Sequence, residues 1–182
     1  MQTQTGATGT VFTIGHSDHP PETLVRLLTE ASIEVLVDVR SHPSSRWVAH
    51  ANPHDLNRFL SSAGIRYLYL GDMLGGRPDS PDADSAEPIT SKYEAIRNSK
   101  PFQEGLERLL RGLTARRVCI MCAEEDPSAC HRNLLVGEAL RRRGVRVLHI
   151  RGSGAVETDE HLRKRKAGVA PNQLEFPLGD AI

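Results

Sequence analysis

The chain has 182 residues, of which 38% are hydrophobic and 25% charged, and its 23 basic and 23 acidic side chains give a formal net charge of zero. A chain of this size can bury a full core in one domain, and a balanced charge provides no overall field that attracts nucleic acid or an anionic membrane. The three cysteines and the lack of an apolar stretch of membrane-spanning length predict a cytoplasmic protein with reduced thiols and no membrane partner.

Five apolar runs of strand length alternate with helical patterns. The runs are residues 11–14, 35–40, 65–70, 118–121 and 145–150. Between them, apolar residues recur on one helical face, as Leu24, Leu27 and Leu28 do. This alternation predicts right-handed βαβ units and a parallel sheet covered on both faces. The predicted fold is a single doubly wound three-layer α/β/α domain with a mostly parallel five-stranded sheet.

The predicted domain occupies the whole chain, 1–182, with a core of about residues 10–150. Residues 151–182 are expected to form a C-terminal extension with a short charged helix. Residues 71–92 are rich in glycine, proline and acids, and a loop of this length in a compact domain is usually either a functional lid or disordered. Within it, Gly75 and Gly76 give the backbone freedom ahead of Arg77, while Pro78 restricts Arg77 to extended conformations. We therefore predict a lid that directs Arg77 towards an anion.

Polar side chains follow three of the five strands. His16 and Ser17 come after the first strand, Asp38 and Arg40 end the second, and Cys122 follows the fourth. Ligands of doubly wound sheets bind beyond the carboxyl ends of the strands, where the strand order reverses. A strand order of 3-2-1-4-5 would bring the three ends together, and we prefer it to 2-1-3-4-5 for that reason.

The stretch from Cys122 to Arg132 holds the densest set of reactive side chains. We expect it to leave the fourth strand, form an acidic turn and begin a helix at Asp126-Pro127, since an aspartate cap and a proline at the first position are typical helix starts. Two thiols, an imidazole, a guanidinium and three carboxylates within eleven residues are more than a core needs. The stretch predicts a functional site.

Four motifs resemble the DUF488 family. They are Thr13–Ser17, Asp38–Ser44, Tyr69–Arg77 and Cys122–Arg132. The resemblance extends to about residue 160. It implies a small α/β domain and supports a site built from these motifs, and it leaves the reaction and the substrate open.

The preferred hypothesis is an enzyme that binds a small anionic, phosphate- or nucleotide-like substrate, because hydroxyls, guanidinium groups and helix starts converge at one predicted edge. The predicted substrate-binding residues are Ser17, Arg40, Ser44, Arg77, Cys130 and Arg132. The predicted catalytic residues are His16, Asp38, Cys122, Glu124, Glu125 and His131. Asp38 has an equally good alternative role, as an ion-pair partner that orients the arginines.

Three other functions stay open. Cys122 and Cys130 could serve in rhodanese-like thiol or redox chemistry, although the carboxylates between Cys122 and Arg132 are unusual in a loop that binds oxyanions. Adjacent Cys130 and His131 would project about 100° apart on a helix, which disfavours structural zinc. A catalytic metal held by His16, one thiol and an acid stays open, although no metal site is predicted. The basic runs 141–143 and 163–166 could contact nucleic acid, but such runs at helix ends usually complement the helix dipole. The sequence identifies no cofactor and no oligomeric state.

Overall fold

The structure is a computed structural model that describes residues 9–44, 48–77 and 88–168. These residues form one six-stranded sheet with the order β3-β2-β4-β1-β5-β6. The strands are β1 (Thr10–Gly15), β2 (Val35–Asp38), β3 (Arg66–Tyr69), β4 (Val118–Cys122), β5 (Arg146–Ile150) and β6 (Val156–Thr158). All neighbouring pairs are parallel except β5 and β6. The predicted α/β class and mostly parallel sheet are confirmed, with a sixth strand that is too short to show a hydrophobic pattern.

The predicted strand order 3-2-1-4-5 is wrong. Strand β4 pairs with both β2 and β1, so it takes the position that the prediction gave to β1. Both strands are buried on both faces, and their apolar runs therefore carry no signal for which is nearer the sheet centre. The polar ends of the first, second and fourth strands nevertheless meet as predicted, because β2, β4 and β1 are neighbours and their carboxyl ends lie side by side.

Helices cover both faces of the sheet. The α-helices are α1 (Pro21–Glu30), α2 (Pro53–Ser62), α3 (Gly71–Leu74), α4 (Ile89–Asn98), α5 (Lys100–Leu113), α6 (Glu138–Arg142) and α7 (Asp159–Lys166). Leu24 of α1 and Leu56 of α2 pack in one cluster with Phe12 of β1. Phe102 of α5 packs on the other face, with Val11. Alternate side chains of a strand point to opposite faces, so β1 contributes to both cores and the domain has three layers.

The segment after β4 is not the single helix that the sequence predicted. Asp126 does cap a turn, accepting a hydrogen bond from the Ser128 backbone N–H at 2.8 Å. That turn is a single 3-10 turn, Pro127–Ala129, and Cys130 has extended backbone angles, φ −95° and ψ 142°. A π-helix, Arg132–Gly137, then leads into α6. Cys130 therefore lies before the helix rather than on it.

The predicted 71–92 loop is partly helical. Its first residues form α3 and its last residues belong to α4, while residues 78–87 lie outside the described part of the chain. The predicted closure over the site therefore stays a prediction. In the described ranges no helix is both long and apolar enough to cross a membrane.

Candidate functional site

An open cleft of about 410 Å³ lies at the carboxyl ends of β2, β4 and β1. We call it the edge cleft. It is lined by His16, Ser17, Asp18, Arg40, His42, Val48, Ala123 and Glu124. Its walls come from segments that follow three different strands, at the edge of the sheet where the polar strand ends were predicted to meet.

The acidic turn, residues 123–126, is fixed against the end of β1. The backbone N–H groups of His16 and Ser17 donate to the carbonyls of Cys122 and Ala123 at 2.9 and 2.8 Å. The contact is so close that a Cβ on Gly15 would lie 1.8 Å from the Glu124 carbonyl oxygen. Only glycine fits at position 15, which gives the Gly15-His16-Ser17 motif a structural reason.

The buried side chain of Arg132 stabilises the same turn by donating hydrogen bonds to its backbone. Its side chain is fully buried, with 0% exposure. It donates to the carbonyl oxygen of Glu124, to that of Glu125 at 2.7 Å and to the Thr13 hydroxyl at 3.4 Å. The guanidinium satisfies carbonyl groups that the irregular turn leaves without backbone partners. Arg132, expected to bind substrate, occupies a supporting position beneath the site.

A buried polar chain continues behind Arg132. The Thr13 hydroxyl lies 2.8 Å from His149 Nδ1, and His149 Nε2 lies 3.2 Å from Asp159 Oδ1. Burial lowers the pKa of His149, although Asp159 opposes the shift. Thr13 belongs to the quoted Thr13–Ser17 motif but was given no role, and His149 was not predicted at all; each is a polar residue inside an otherwise apolar strand. Both side chains are 0% exposed, so we interpret this series of hydrogen bonds as structural.

Asp38, Arg40 and His16 form a second buried network, beneath the edge cleft. Arg40 donates to both carboxylate oxygens of Asp38, from Nε at 2.9 Å and from Nη2 at 2.6 Å. Its Nη1 lies 2.9 Å from His16 Nε2. Tyr67, which the sequence analysis missed, donates to Asp38 at 2.8 Å. These contacts favour the ion-pair role of Asp38, in which the carboxylate orients Arg40.

The contacts of His16 determine its tautomer. A guanidinium can only donate, so Nε2 must accept from Arg40, and Nδ1 then donates to the Ser17 carbonyl oxygen at 2.8 Å. This arrangement requires a neutral ring. Consistently, burial and the neighbouring Arg40 charge lower the pKa of His16 from 6.5 to about 4. His16 therefore stays neutral at physiological pH, with its lone pair already engaged.

Cys122, Cys130 and His131 converge beside the cleft, and we call them the thiol cluster. The Cys122 sulfur lies 3.3 Å from His131 Nδ1. Both thiols donate to the same Glu124 oxygen, each at 3.2 Å. His131 Nε2 is 2.8 Å from the Val39 carbonyl oxygen. The cluster thus joins residues from the end of β4, the acidic turn and the start of the following helix.

The charges of the cluster depend on one another. Contact with the Cys122 thiol and burial raise the pKa of Cys130. Burial raises the pKa of Glu124, but hydrogen bonds from the two thiols outweigh burial and the net pKa is lowered. Burial lowers the pKa of His131, but contacts with the Cys130 sulfur, the Val39 carbonyl oxygen and the Glu124 carboxylate together outweigh burial, and the net pKa is raised. Glu124 is therefore ionised at neutral pH and Cys130 is a protonated thiol when no metal is bound.

The sequence of this chain matches a family model described as "Domain of unknown function DUF488" over residues 20–139. The chain belongs to the DUF488 family. No curated protein and no solved structure matches it. The matched range contains three of the four quoted DUF488 motifs, while Thr13–Ser17 precedes it and the resemblance to residue 160 extends beyond it.

The remaining predicted residues of this DUF488 chain are more dispersed. The carboxylate of Glu125 accepts from Arg151 at 2.6 Å and from the Gly152 backbone N–H at 3.1 Å, away from the thiols. Ser17 lines the edge cleft. Ser44 and Arg77 are exposed, and the backbone N–H of Arg77 donates to the Ser41 hydroxyl at 2.9 Å. The structure thus brings Ser17 to the cleft and gives Glu125 a structural ion pair.

Two further residues at or near the candidate site were not predicted from the sequence. His42 lines the edge cleft, although it stands inside the quoted Asp38–Ser44 motif. Tyr93 of α4 is buried, and its pKa is raised by burial and by the nearby Cys130 and Cys122 sulfurs. No helix was predicted over the residues of α4, so the proximity of Tyr93 to the thiol cluster could not be foreseen.

Proposed function

We propose that this DUF488 chain is an intracellular enzyme that acts on a small anionic, phosphate- or nucleotide-like substrate in the edge cleft. The observation that carries the proposal is the cleft itself, which combines Arg40, Ser17 and His42 as donors with the carboxylates of Asp18 and Glu124. Its position beyond the carboxyl ends of parallel strands is where doubly wound sheets bind ligands.

Arg40 is the candidate for anchoring the anion. Its contacts to Asp38, to His16 and to the Ala51 carbonyl oxygen occupy four N–H groups. A guanidinium has five, so one N–H on Nη1 remains for a ligand. Because Asp38 and His16 fix the guanidinium plane, that donor is held in position before a ligand arrives, which lowers the entropic cost of binding.

Glu124 is the candidate for proton transfer. It is exposed, it lines the cleft, and its lowered pKa keeps it ionised at neutral pH. An ionised carboxylate can accept a proton from a hydroxyl or amine of the substrate. We assign His16 a positioning role instead, because its Nε2 lone pair is committed to Arg40.

The ion pairs of the basic runs weaken the nucleic-acid alternative. Arg142 and Arg143 pair with Glu138 and Glu107, and Arg165 pairs with Asp126 and Glu157. A nucleic-acid footprint needs cationic groups that are available to phosphates, and these are already engaged by carboxylates.

A thermal-shift screen of inorganic phosphate, sugar phosphates and nucleotides, followed by calorimetric titration of each stabilising compound, tests the proposal. Arg77→Ala should weaken binding by about 1–3 kcal/mol if the predicted lid brings this charge to the anion. Arg146→Ala is the matched control, because Arg146 is an exposed arginine at the amino end of β5, the opposite edge of the sheet.

His42→Ala tests the cleft without the lid, and it should also weaken binding because His42 lines the cleft wall. If the Arg77 variant binds as tightly as the Arg146 variant, Arg77 is no part of the site. If no anion stabilises the protein, or if the His42 variant binds every stabilising anion unchanged, the edge cleft is not the substrate site.

A further inference from the structure

The thiol cluster has the composition and spacing of a metal site. One ligand atom from each of Cys122, Cys130 and His131 lies within 4.8 Å of the other two. Two sulfurs and one imidazole nitrogen form a donor set that suits zinc. The separation expected from sequence, with Cys130 and His131 about 100° apart on a helix, does not occur because Cys130 has an extended backbone.

His131 is oriented as a metal ligand. Its Nε2 is 2.8 Å from the Val39 carbonyl oxygen, which can only accept, so Nε2 carries the hydrogen in the neutral ring. Nδ1 then presents its lone pair towards the Cys122 sulfur, 3.3 Å away. Metal-bound histidines commonly donate their second ring N–H to a carbonyl or carboxylate in this way, because that bond fixes the ring and its tautomer.

The carboxylate of Glu124 is placed next to the same atoms. Its Oε2 is 3.2 Å from each of the two sulfurs, and no lysine or arginine forms an ion pair with Glu124 among residues 9–44, 48–77 and 88–168. With Zn–S bonds of about 2.3 Å and Zn–N or Zn–O bonds of about 2.1 Å, a tetrahedral site has S···N and S···O edges of about 3.5 Å. The observed separations are 3.2 and 3.3 Å. They differ from these tetrahedral edge lengths by only about a few tenths of an ångström.

We propose that Cys122 Sγ, Cys130 Sγ and His131 Nδ1 bind one zinc ion, with the Glu124 carboxylate at the fourth position. Binding replaces the two thiol protons by the metal and releases them to solvent. The cation neutralises three groups that would otherwise repel one another once ionised. None of the three main ligands lines the edge cleft, so their variants test zinc binding separately from the proposed substrate; Glu124 is the one side chain that the two proposals share.

Metal binding is measured on the full chain, purified without a histidine tag and kept reduced. The apoprotein is titrated with Zn²⁺ against a chromophoric chelator, and bound metal is counted by mass spectrometry after desalting. Co²⁺ is then substituted, because thiolate-to-cobalt charge transfer and the d–d bands of a tetrahedral site report the ligands directly. Cys122→Ala, Cys130→Ala and His131→Ala are compared with Cys119→Ala, which removes the third thiol, in the core on the other face of the sheet.

We expect one Zn²⁺ per chain for the wild type and for Cys119→Ala, and a tetrahedral, thiolate-bound cobalt spectrum. Each ligand variant should lose more affinity than the roughly 10–100-fold that follows loss of an outer-sphere partner. Circular dichroism identifies a variant that fails to fold, and the wild-type cobalt spectrum remains decisive in that case. The proposal is overturned if the reduced wild type binds no zinc, if cobalt shows no thiolate band, or if folded ligand variants bind like Cys119→Ala.

Discussion

His16 is neutral and accepts a hydrogen bond from Arg40, and this state predicts a specific dependence of stability on pH. The folded protein holds the pKa of His16 at about 4, against an ordinary value of 6.5. Between these values the unfolded chain binds a proton at this position and the folded chain does not, so unfolding is favoured as the pH falls. The contribution of His16 is fully present above pH 6.5 and is lost as the pH falls towards 4.

The size of the effect follows from the two pKa values. At about pH 7.5 His16 is neutral in both the folded and the unfolded state. At about pH 5 the titration of this group alone lowers the free energy of unfolding by roughly 2 kcal/mol. The cause is local: protonation would put a cation against the Arg40 guanidinium, 2.9 Å away, in a site where His16 is only 5% exposed. The hydrogen bond to the Ser17 backbone and the Asp38 charge oppose this lowering of the pKa, and His50 adds to it; each contributes less than Arg40.

Urea unfolding at the two pH values, with EDTA present so that metal makes no contribution, measures the effect. His16→Gln removes the titration but keeps an acceptor for Arg40, and it should reduce the pH-dependent loss of unfolding free energy by about 2 kcal/mol. His54→Gln is the control, because the His54 side chain is 90% exposed. If the His16 and His54 variants lose the same free energy between the two pH values, the neutral-ring assignment is refuted.

Two further predictions concern the buried ion pair and the tight turn. Asp38→Asn should lower the unfolding free energy by about 3–5 kcal/mol, because it leaves the buried Arg40 charge without its carboxylate; Glu30→Gln, in an exposed pair, should cost less than about 1 kcal/mol. Gly15→Ala should cost more than about 3 kcal/mol or prevent folding, since its Cβ would lie 1.8 Å from a carbonyl oxygen. Gly112→Ala, where nothing lies within 4 Å, should change stability by no more than about 1 kcal/mol. Equal effects within either pair, in the same urea experiment, would contradict the corresponding prediction.

The location of the candidate site was predictable because it depends on topology rather than on detail. His16, Asp38 and Cys122 come at or just after the ends of three apolar strands, and parallel strands direct all such ends to one edge. The exact order of the strands was not needed for that inference. It was also not readable, because β1 and β4 are equally apolar on both faces.

The roles of the arginines were not predictable from residue type. A sequence shows that Arg40 and Arg132 fall near the site, but not which acceptors reach them. Arg132 donates its hydrogen bonds to carbonyl oxygens of an irregular turn. Such backbone acceptors cannot be identified from the sequence. Arg40 differs because its partner Asp38 lies two residues away within the predicted strand 35–40, and side chains two apart in a strand share a face. The ion-pair alternative was predictable for that reason.

Neighbouring contacts single out Glu124 among the acids of the turn. Glu125 pairs with Arg151 and Asp126 pairs with Arg165, whereas the Glu124 carboxylate contacts both thiols and also lines the edge cleft. The two proposals meet at this side chain, so variants can separate them. Glu124→Gln should weaken zinc binding and remove the proposed proton acceptor from the edge cleft. His131→Ala should weaken zinc binding alone, and His42→Ala should weaken anion binding alone. If His131→Ala abolishes anion binding as well in a folded protein, the metal belongs to the substrate site and the cleft and the thiol cluster form one centre.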